Sequence, residues 1–322
     1  MTKSILAGID IGGTKTAVVL SQDPPSVLGR EEFATRPAKG PQPAIQHIKK
    51  AVNDLLAAQG LDSTSLLRLG VSCGGPLDRI QGIIQSPPNL PTWDNVPLKA
   101  ILEDEFKVEC LIENDANAGA VAEHRFGAGK GSQNMVFLTM GTGLGAGIIT
   151  DGRLYRGTND LAGEIGHVRL TRTGPVGHNK AGSAEGWASG GGMAQLAAQS
   201  VATAQRKGKK TLLTEHARTG KPITARDVAA AARKGDAVAL AILHSTGERL
   251  GEVLAILVDI LNPERIVIGG LAMRLGDLLL DPARQVMQRE ALAQTAGVCQ
   301  IVPATLGESI GDAAALCVAM GV

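Results

Sequence analysis

The sequence predicts a mixed α/β chain built from two similar halves, and three observations carry that prediction. Asp10-Ile11-Gly12-Gly13-Thr14-Lys15-Thr16 follows the apolar run Ile5–Ile9 and leads into Ala17-Val18-Val19-Leu20. Thr139-Met140-Gly141-Thr142-Gly143-Leu144-Gly145 follows Met135-Val136-Phe137-Leu138 and leads into Gly147-Ile148-Ile149. Each reads as strand, glycine-rich turn, strand. Helical patterns follow in both halves, so strands and helices mix throughout. A recurrence at this distance is a duplication, not a solenoid repeat.

Taken in order, Ile5–Ile9, Thr16–Leu20 and Val27–Ala34 are strand-like. A helix follows over about Pro43–Ala58, where Ile45, Ile48, Val52, Leu55 and Leu56 fall on one face. Leu67–Ser72 is a buried strand that ends in the turn signal Cys73-Gly74-Gly75-Pro76. Ile80–Ile84 reads as a short strand and Ser86–Pro91 as a stiff loop. Val108–Ile112 delivers Glu113-Asn114-Asp115 to a helix of about Ala116–Phe126.

The second half opens on strands Met135–Leu138 and Gly147–Thr150, the latter closed by an Asp151-Gly152 turn. Gly174–Gly192 shows no periodicity. A long helix spans about Ala237–Leu261, with Val238, Ile242, Leu250, Val253, Leu257 and Ile260 as its apolar face. Asn262-Pro263 stops it. Ile266–Ile268 is a strand into Gly269-Gly270, and Ser309–Ala319 is a closing helix.

Bulk properties narrow the class. At 322 residues the chain holds two domains with substantial cores, and a net charge of +1 gives no field that draws it to nucleic acid or membrane. Arg206-Lys207-Gly208-Lys209-Lys210 reads as a solvated helix end or loop. Cys73, Cys110, Cys299 and Cys317 are scattered among apolar or small neighbours, which suits buried thiols in a reducing compartment. Asp10 interrupts the first apolar run, and Asp259, Glu264 and Arg265 interrupt the most hydrophobic segment, so neither a signal peptide nor a membrane span is expected. A cytoplasmic protein is the expectation.

Glycine turns let backbone N–H groups approach an anion closely, and Thr14 and Thr142 add hydroxyl donors for phosphate oxygens. Gly127-Ala128-Gly129-Lys130-Gly131 lacks the spacing of a Walker A loop. Gly141–Ala146 fits the loose dinucleotide pattern but opens a strand, where that pattern must open a helix. A pair of ordinary hairpins is the simplest alternative. Two such turns with Asp10 at the mouth of the first suggest a nucleotide gripped from both sides, and therefore phosphoryl transfer. Asp10 would hold magnesium directly or through water. Asp115 is the base candidate, although an N-cap role alone would explain Asn114 or Asp115. Near a helix N-terminus its carboxylate stays ionised and would accept a proton late in the transfer. Asn89, Asn114, Glu164, His167 and Glu185 form the donor and acceptor set that a polyhydroxylated substrate requires.

These segments, in this order, resemble the ROK family (repressors, open reading frames and sugar kinases) of the actin-like ATPase superfamily. Asp10–Thr16 matches its first phosphate element, and Gly74–Asp78 with Asn89–Trp93 its sugar loop. Glu113–Asn117 matches the catalytic element and Gly141–Gly145 the second phosphate element. Gly163–His167 matches the sugar signature, and Leu261–Pro263 with Ile268–Gly270 the nucleotide side. The resemblance implies a duplicated, ribonuclease H-like fold with an interdomain cleft. One domain would take residues 1–115 and 305–322, the other residues 116–304.

It further implies ATP- and Mg2+-dependent phosphorylation of a hexose at its C6 hydroxyl, glucose first, with Asp115 as the base. Sugar contacts would come from Gly75, Asn89, Asn114, Asp115, Glu164, His167 and Glu185. Nucleotide contacts would come from Asp10, Gly12, Gly13, Thr14, Lys15, Thr139, Gly141, Thr142, Gly143, Gly269 and Gly270. A kinase of fructose or of an N-acetylhexosamine is the near alternative, and a non-catalytic sugar-sensing regulator the distant one. The regulator class carries a DNA-binding domain ahead of the first phosphate motif, which here starts at Asp10 and leaves no room for one. A homodimer or homotetramer is expected.

One departure stands out. Most kinases of the family hold a structural zinc with the signature histidine and a Cys-x-Cys-Gly-x-x-Gly-Cys-x-Glu run. Here Val176, His178 and Ser183 replace the three cysteines. No zinc is therefore expected, and hydrogen bonds and packing, including Trp187, would hold the loop.

Overall fold

The structure is a computed structural model and describes residues 4–218 and 220–321. The chain forms two compact units, one of Met1–Gly131, Leu154–Asp160 and Leu306–Val322, the other of Ser132–Arg153 and Leu161–Thr305. The chain carries two five-stranded sheets of the same plan. The first unit's strands are β1 (Ile5–Ile11), β2 (Lys15–Ser21), β3 (Gly29–Ala34), β4 (Leu66–Cys73) and β5 (Cys110–Asn114). Their order is β3-β2-β1-β4-β5, with β1 antiparallel to β2 and parallel to β4. The second sheet holds β6 (Met135–Met140), β7 (Leu144–Thr150), β8 (Arg153–Tyr155), β9 (Arg265–Ile268) and β10 (Gln300–Pro303). Its order is β8-β7-β6-β9-β10, with β6 antiparallel to β7 and parallel to β9. The two glycine turns therefore occupy the same place in two copies of one topology.

The unit boundary differs from the one expected at residue 115. The helix Asp115–Phe126 belongs to the first unit because it packs on the C-terminal helix Ile310–Ala319. The Leu306 N–H donates to Glu123 Oε1 at 3.0 Å and ties the two together.

Local chemistry explains most element ends. The helix expected from Pro43 begins at Pro41, whose missing N–H costs nothing in a first turn, and it buries Ile45, Ile48, Val52 and Leu56. Helix Ala237–Leu261 starts on Asp236, whose side chain accepts the Ala239 N–H, and stops where Asn262 turns left-handed at φ 44. Ile242, Leu250, Val253 and Leu257 of that helix are buried as patterned, but Ile260 is 74% exposed. The strand expected at Ile80–Ile84 contracts to Ile83–Ile84. The stretch up to Gly192 is less irregular than its composition suggests: helix Gly190–Arg206 begins inside it, with the Ser189 hydroxyl accepting the Gly192 N–H.

Each unit has its own core. Ile9, Ile11, Leu69 and Trp93 lie in the first, and Leu138, Val253, Leu254 and Ile268 in the second. All four cysteines are buried free thiols. Among the described residues, no helix is long and apolar enough to cross a membrane.

Candidate active site

β1, β4 and β5 run parallel, so their carboxyl ends share one edge, where ligands of such sheets collect. The register sets Asp10 beside Ser72, and Ser72 beside Glu113. Asp10 also hydrogen-bonds the Ser72 side chain. Burial, and then the charges of Asp115 and Asp312, push its pKa up to about 6, against the pull of Ser72 and Lys15. A carboxylate in that setting gains from a neighbouring cation.

The turn after β1 is closed by the Gly12 N–H, which donates to the Lys15 carbonyl at 2.9 Å. Thr35 braces it from behind. Its hydroxyl donates to the Gly12 carbonyl at 2.6 Å, and its N–H donates to the Thr14 carbonyl at 3.1 Å. Buried Thr16 meets the same hydroxyl at 2.9 Å. At Gly13 a Cβ would stand 2.5 Å from the Asn89 carbonyl oxygen, so only glycine lets the Asn89 loop close on the turn. The Lys15 ammonium reaches outward to Glu32 at 3.0 Å.

Gly75 and Asn89 converge on the same edge. A Cβ on Gly74 would lie 3.3 Å from Asn89 Nδ2, and one on Gly75 would lie 3.3 Å from Asn114 Nδ2. Asn114 is the N-cap of helix Asp115–Phe126, its Oδ1 accepting the N–H groups of Ala116 at 2.9 Å and Asn117 at 3.3 Å. Capping by Asn114 leaves Asp115 as the exposed first helical residue, one oxygen accepting the Ala116 N–H at 2.8 Å. The first unit thus brings together Asp10, Gly12, Gly13, Thr14, Gly75, Asn89, Asn114 and Asp115.

The second unit gathers its own set. The Gly141 N–H donates to the Gly143 carbonyl at 3.0 Å. The carbonyls of Gly141 and Thr142 accept the first N–H groups of helix Gly190–Arg206, from Gly190 at 2.8 Å and Gly191 at 3.1 Å. Gly269 donates to the Leu138 carbonyl at 2.8 Å, and Gly270 backs directly onto the Met140 carbonyl. Thr139, Gly141, Thr142, Gly143, Gly269 and Gly270 therefore form one neighbourhood. Glu185 joins it, because its Oε2 accepts the Leu144 N–H at 3.2 Å. Glu164 and His167 approach each other at 3.7 Å, and the His167 ring meets that of His178 at 4.3 Å between centroids.

The resemblance implies zinc ligands in the loop that carries Glu185, at His167 and at three positions that here hold Val176, His178 and Ser183. His167 is the one residue of that set present, and His178 stands where a cysteine is implied. Among the described residues, no three His, Cys, Asp or Glu side chains are grouped to hold a metal. Other bonds hold the loop. Lys180 Nζ donates to the His167 carbonyl at 2.7 Å, and Arg169 Nη1 donates to the Ala181 carbonyl at 2.7 Å. Trp187 Nε1 donates to Thr171 Oγ1 at 2.7 Å, with the Arg249 guanidinium 5.1 Å from its ring centroid.

Two groups on the first unit's edge escaped the sequence reading, and a third, Glu113, entered it only as part of the catalytic element. Gly311 presses against Asp10, and Asp312, 8% exposed, accepts from Arg30 Nε at 2.8 Å. Glu113 is buried next to Asn114. The dipeptide Gly311-Asp312 inside the closing helix pattern, a glycine beside a carboxylate, was the available signal for the first two.

Two sheets of one plan, each with a glycine turn at the tip of its leading hairpin, define the two-domain actin-like ATPase fold. Within that class the chain belongs to the ROK family, whose model matches residues 6–320. It is 34% identical over 306 residues to the glucokinase of Halalkalibacterium halodurans, across 94% of this chain and 91% of that one. It is 31% identical over 312 residues to the glucokinase of Thermotoga maritima, across 97% and 96%. A solved ROK family glucokinase from Streptomyces griseus, in complex with glucose and AMPPNP, matches with a TM-score of 0.81 at 32% identity. That match covers 99% of this chain and all of the other.

Proposed function

We propose that this chain is an ATP-dependent hexose kinase that phosphorylates glucose at the C6 hydroxyl. The observation that carries the reading is the row of Asp10, Asn114 and Asp115 at one sheet edge beside a braced glycine turn. The related kinase crystallised with glucose and AMPPNP supports both substrates.

In this reading Asn89, Asn114, Glu164, His167 and Glu185 bind sugar hydroxyls, with Gly75 leaving them room. The backbone N–H groups of Gly12–Lys15 and Thr139–Gly143 bind phosphate oxygens, and Gly269 and Gly270 flank the adenosine. Asp115 holds the C6 hydroxyl in line with the γ-phosphorus. As the new O–P bond forms and the bond to the bridging oxygen breaks, the hydroxyl proton passes to Asp115, leaving ADP and a hexose 6-phosphate. Asp115 is far less basic than an alkoxide, so transfer follows the loss of electron density from the attacking oxygen.

A single carboxylate suits magnesium, which takes one or two protein oxygens, several waters and substrate phosphates. Asp10 fits that role, since its raised pKa marks a carboxylate short of positive charge. Bound magnesium would offset phosphate charge during transfer. The reading also places the protein in the cytoplasm as a homodimer or homotetramer, which light scattering on the purified protein decides.

A coupled ADP-release assay with glucose, mannose, fructose, N-acetylglucosamine and N-acetylmannosamine tests the function. Glucose should give the highest kcat/KM. A higher value for fructose or an N-acetylhexosamine replaces the substrate assignment, and release with none of them overturns the kinase reading.

A further inference from the structure

Glu113 is 3% exposed, yet it carries a carboxylate at the end of β5 next to the proposed catalytic pair. A buried charge persists only when its lone pairs are taken up. Three donors take them up here. Oε1 accepts the Asn114 N–H at 3.0 Å and Asn117 Nδ2 at 3.1 Å. Oε2 accepts Arg156 Nε at 2.8 Å. Asn117 Oδ1 is buried without a hydrogen-bond partner, so the amide is oriented for the sake of Glu113 at its own cost.

Arg156 comes from far along the chain. It lies in Leu154–Asp160, a segment that interrupts the second unit's sequence but counts with the first unit. A second ion pair holds that segment, Arg79 Nε to Asp160 Oδ1 at 3.4 Å. Both pairs are partly shielded from water, and the guanidinium of Arg156 has the more deeply buried partner.

We infer that Arg156 is a positioning residue for the reaction: through Glu113 it fixes the junction of β5 and the following helix, and so sets Asn114 and Asp115. The chain of contacts is short. Arg156 fixes the carboxylate, the carboxylate fixes the Asn114 N–H and the Asn117 amide, and Asn114 caps the helix on which Asp115 is the first residue. Losing the guanidinium leaves a buried carboxylate without its cation, and the junction must move to hydrate it. A displacement of about 1 Å at a base costs about a hundredfold in rate. The Asn114 amide moves with the junction, so the sugar constant should suffer while the nucleotide constant does not.

The inference rests on the kinase reading, so wild-type turnover on glucose is measured alongside every variant. Absent wild-type turnover is a failure of that reading, not of this inference. Arg156→Met should lower kcat/KM for glucose by roughly tenfold to a hundredfold, with the KM for ATP within about twofold of wild type. Arg156→Lys should recover most of the loss, because an ammonium still neutralises Glu113. Arg79→Met, which removes the segment's other ion pair, should stay within about twofold throughout.

Rates are normalised to the number of sugar sites found by calorimetric titration, which removes simple unfolding from the comparison. If Arg156→Met does not fold, Arg156→Gln replaces it, since its amide keeps a donor for Glu113 but supplies no charge; a loss of the same glucose selectivity is expected. Wild-type kcat/KM per titrated site in the folded variant overturns the inference. So does an equal loss in Arg79→Met, which would make the segment a tether only.

Discussion

Gly311 and Asp10 are fitted to one another: a Cβ at position 311 would overlap Oδ2 of Asp10 and stand 2.9 Å from its Cγ. Gly311 is the second residue of the helix Ile310–Ala319, so the Asp10 carboxylate rests on that helix's first turn. The contact carries a sharp expectation. The atom that must give way is the end of a side chain, not backbone, so Gly311→Ala should fold and turn Asp10 aside. We expect kcat to fall at least about tenfold and the magnesium concentration for half-maximal rate to rise, with a stability loss near 1 kcal/mol. Magnesium titration beside thermal unfolding checks both, and unchanged magnesium dependence would contradict the role given to Asp10.

The raised pKa of Asp10 fixes a pH dependence. Its ordinary value is 3.8 and its folded value about 6. Below pH 4 the group is protonated in both folded and unfolded chains, so it costs nothing. Between about 4 and 6 the unfolded chain loses the proton first, and stability falls as pH rises. Asp10→Asn should therefore match wild type near pH 4 and exceed it by about 3 kcal/mol at pH 8 in the absence of metal. Denaturant melts at the two pH values measure it, and a variant less stable than wild type at pH 8 would contradict the argument.

The loop around Glu185 should work without zinc. Metal analysis is expected to find well under one zinc per chain, and chelator treatment followed by added magnesium should restore full activity. Trp187→Phe keeps most of the packing but loses the hydrogen bond to Thr171, which costs about 1 kcal/mol. Stoichiometric zinc, or inactivation by chelator that only zinc reverses, would contradict this account of the loop.

How much of this was legible beforehand depends on how local its causes are. The two hairpins follow from alternating apolar runs and glycine, and the Asn114 cap and the Asn262 stop follow from single side chains at helix ends. Helix Gly190–Arg206 was hidden because it opens on three glycines, poor helix formers that are tolerated where Gly190 and Gly191 donate to the second turn. Pro282 similarly masks the helix Asp277–Glu290. The partnership of Arg156 with Glu113 spans 43 positions and leaves no periodic trace. The fit of Gly311 to Asp10 has the same origin: both are tertiary contacts, which spacing along a chain does not encode.

In the proposed transfer Asp115 is the proton acceptor. Its direct test is Asp115→Asn, assayed for ADP release with saturating glucose and ATP while calorimetry follows glucose binding. The amide keeps the shape and cannot take the proton, so turnover should fall by about a hundredfold to ten-thousandfold with glucose binding still measurable. Turnover within a few-fold of wild type would contradict the assignment.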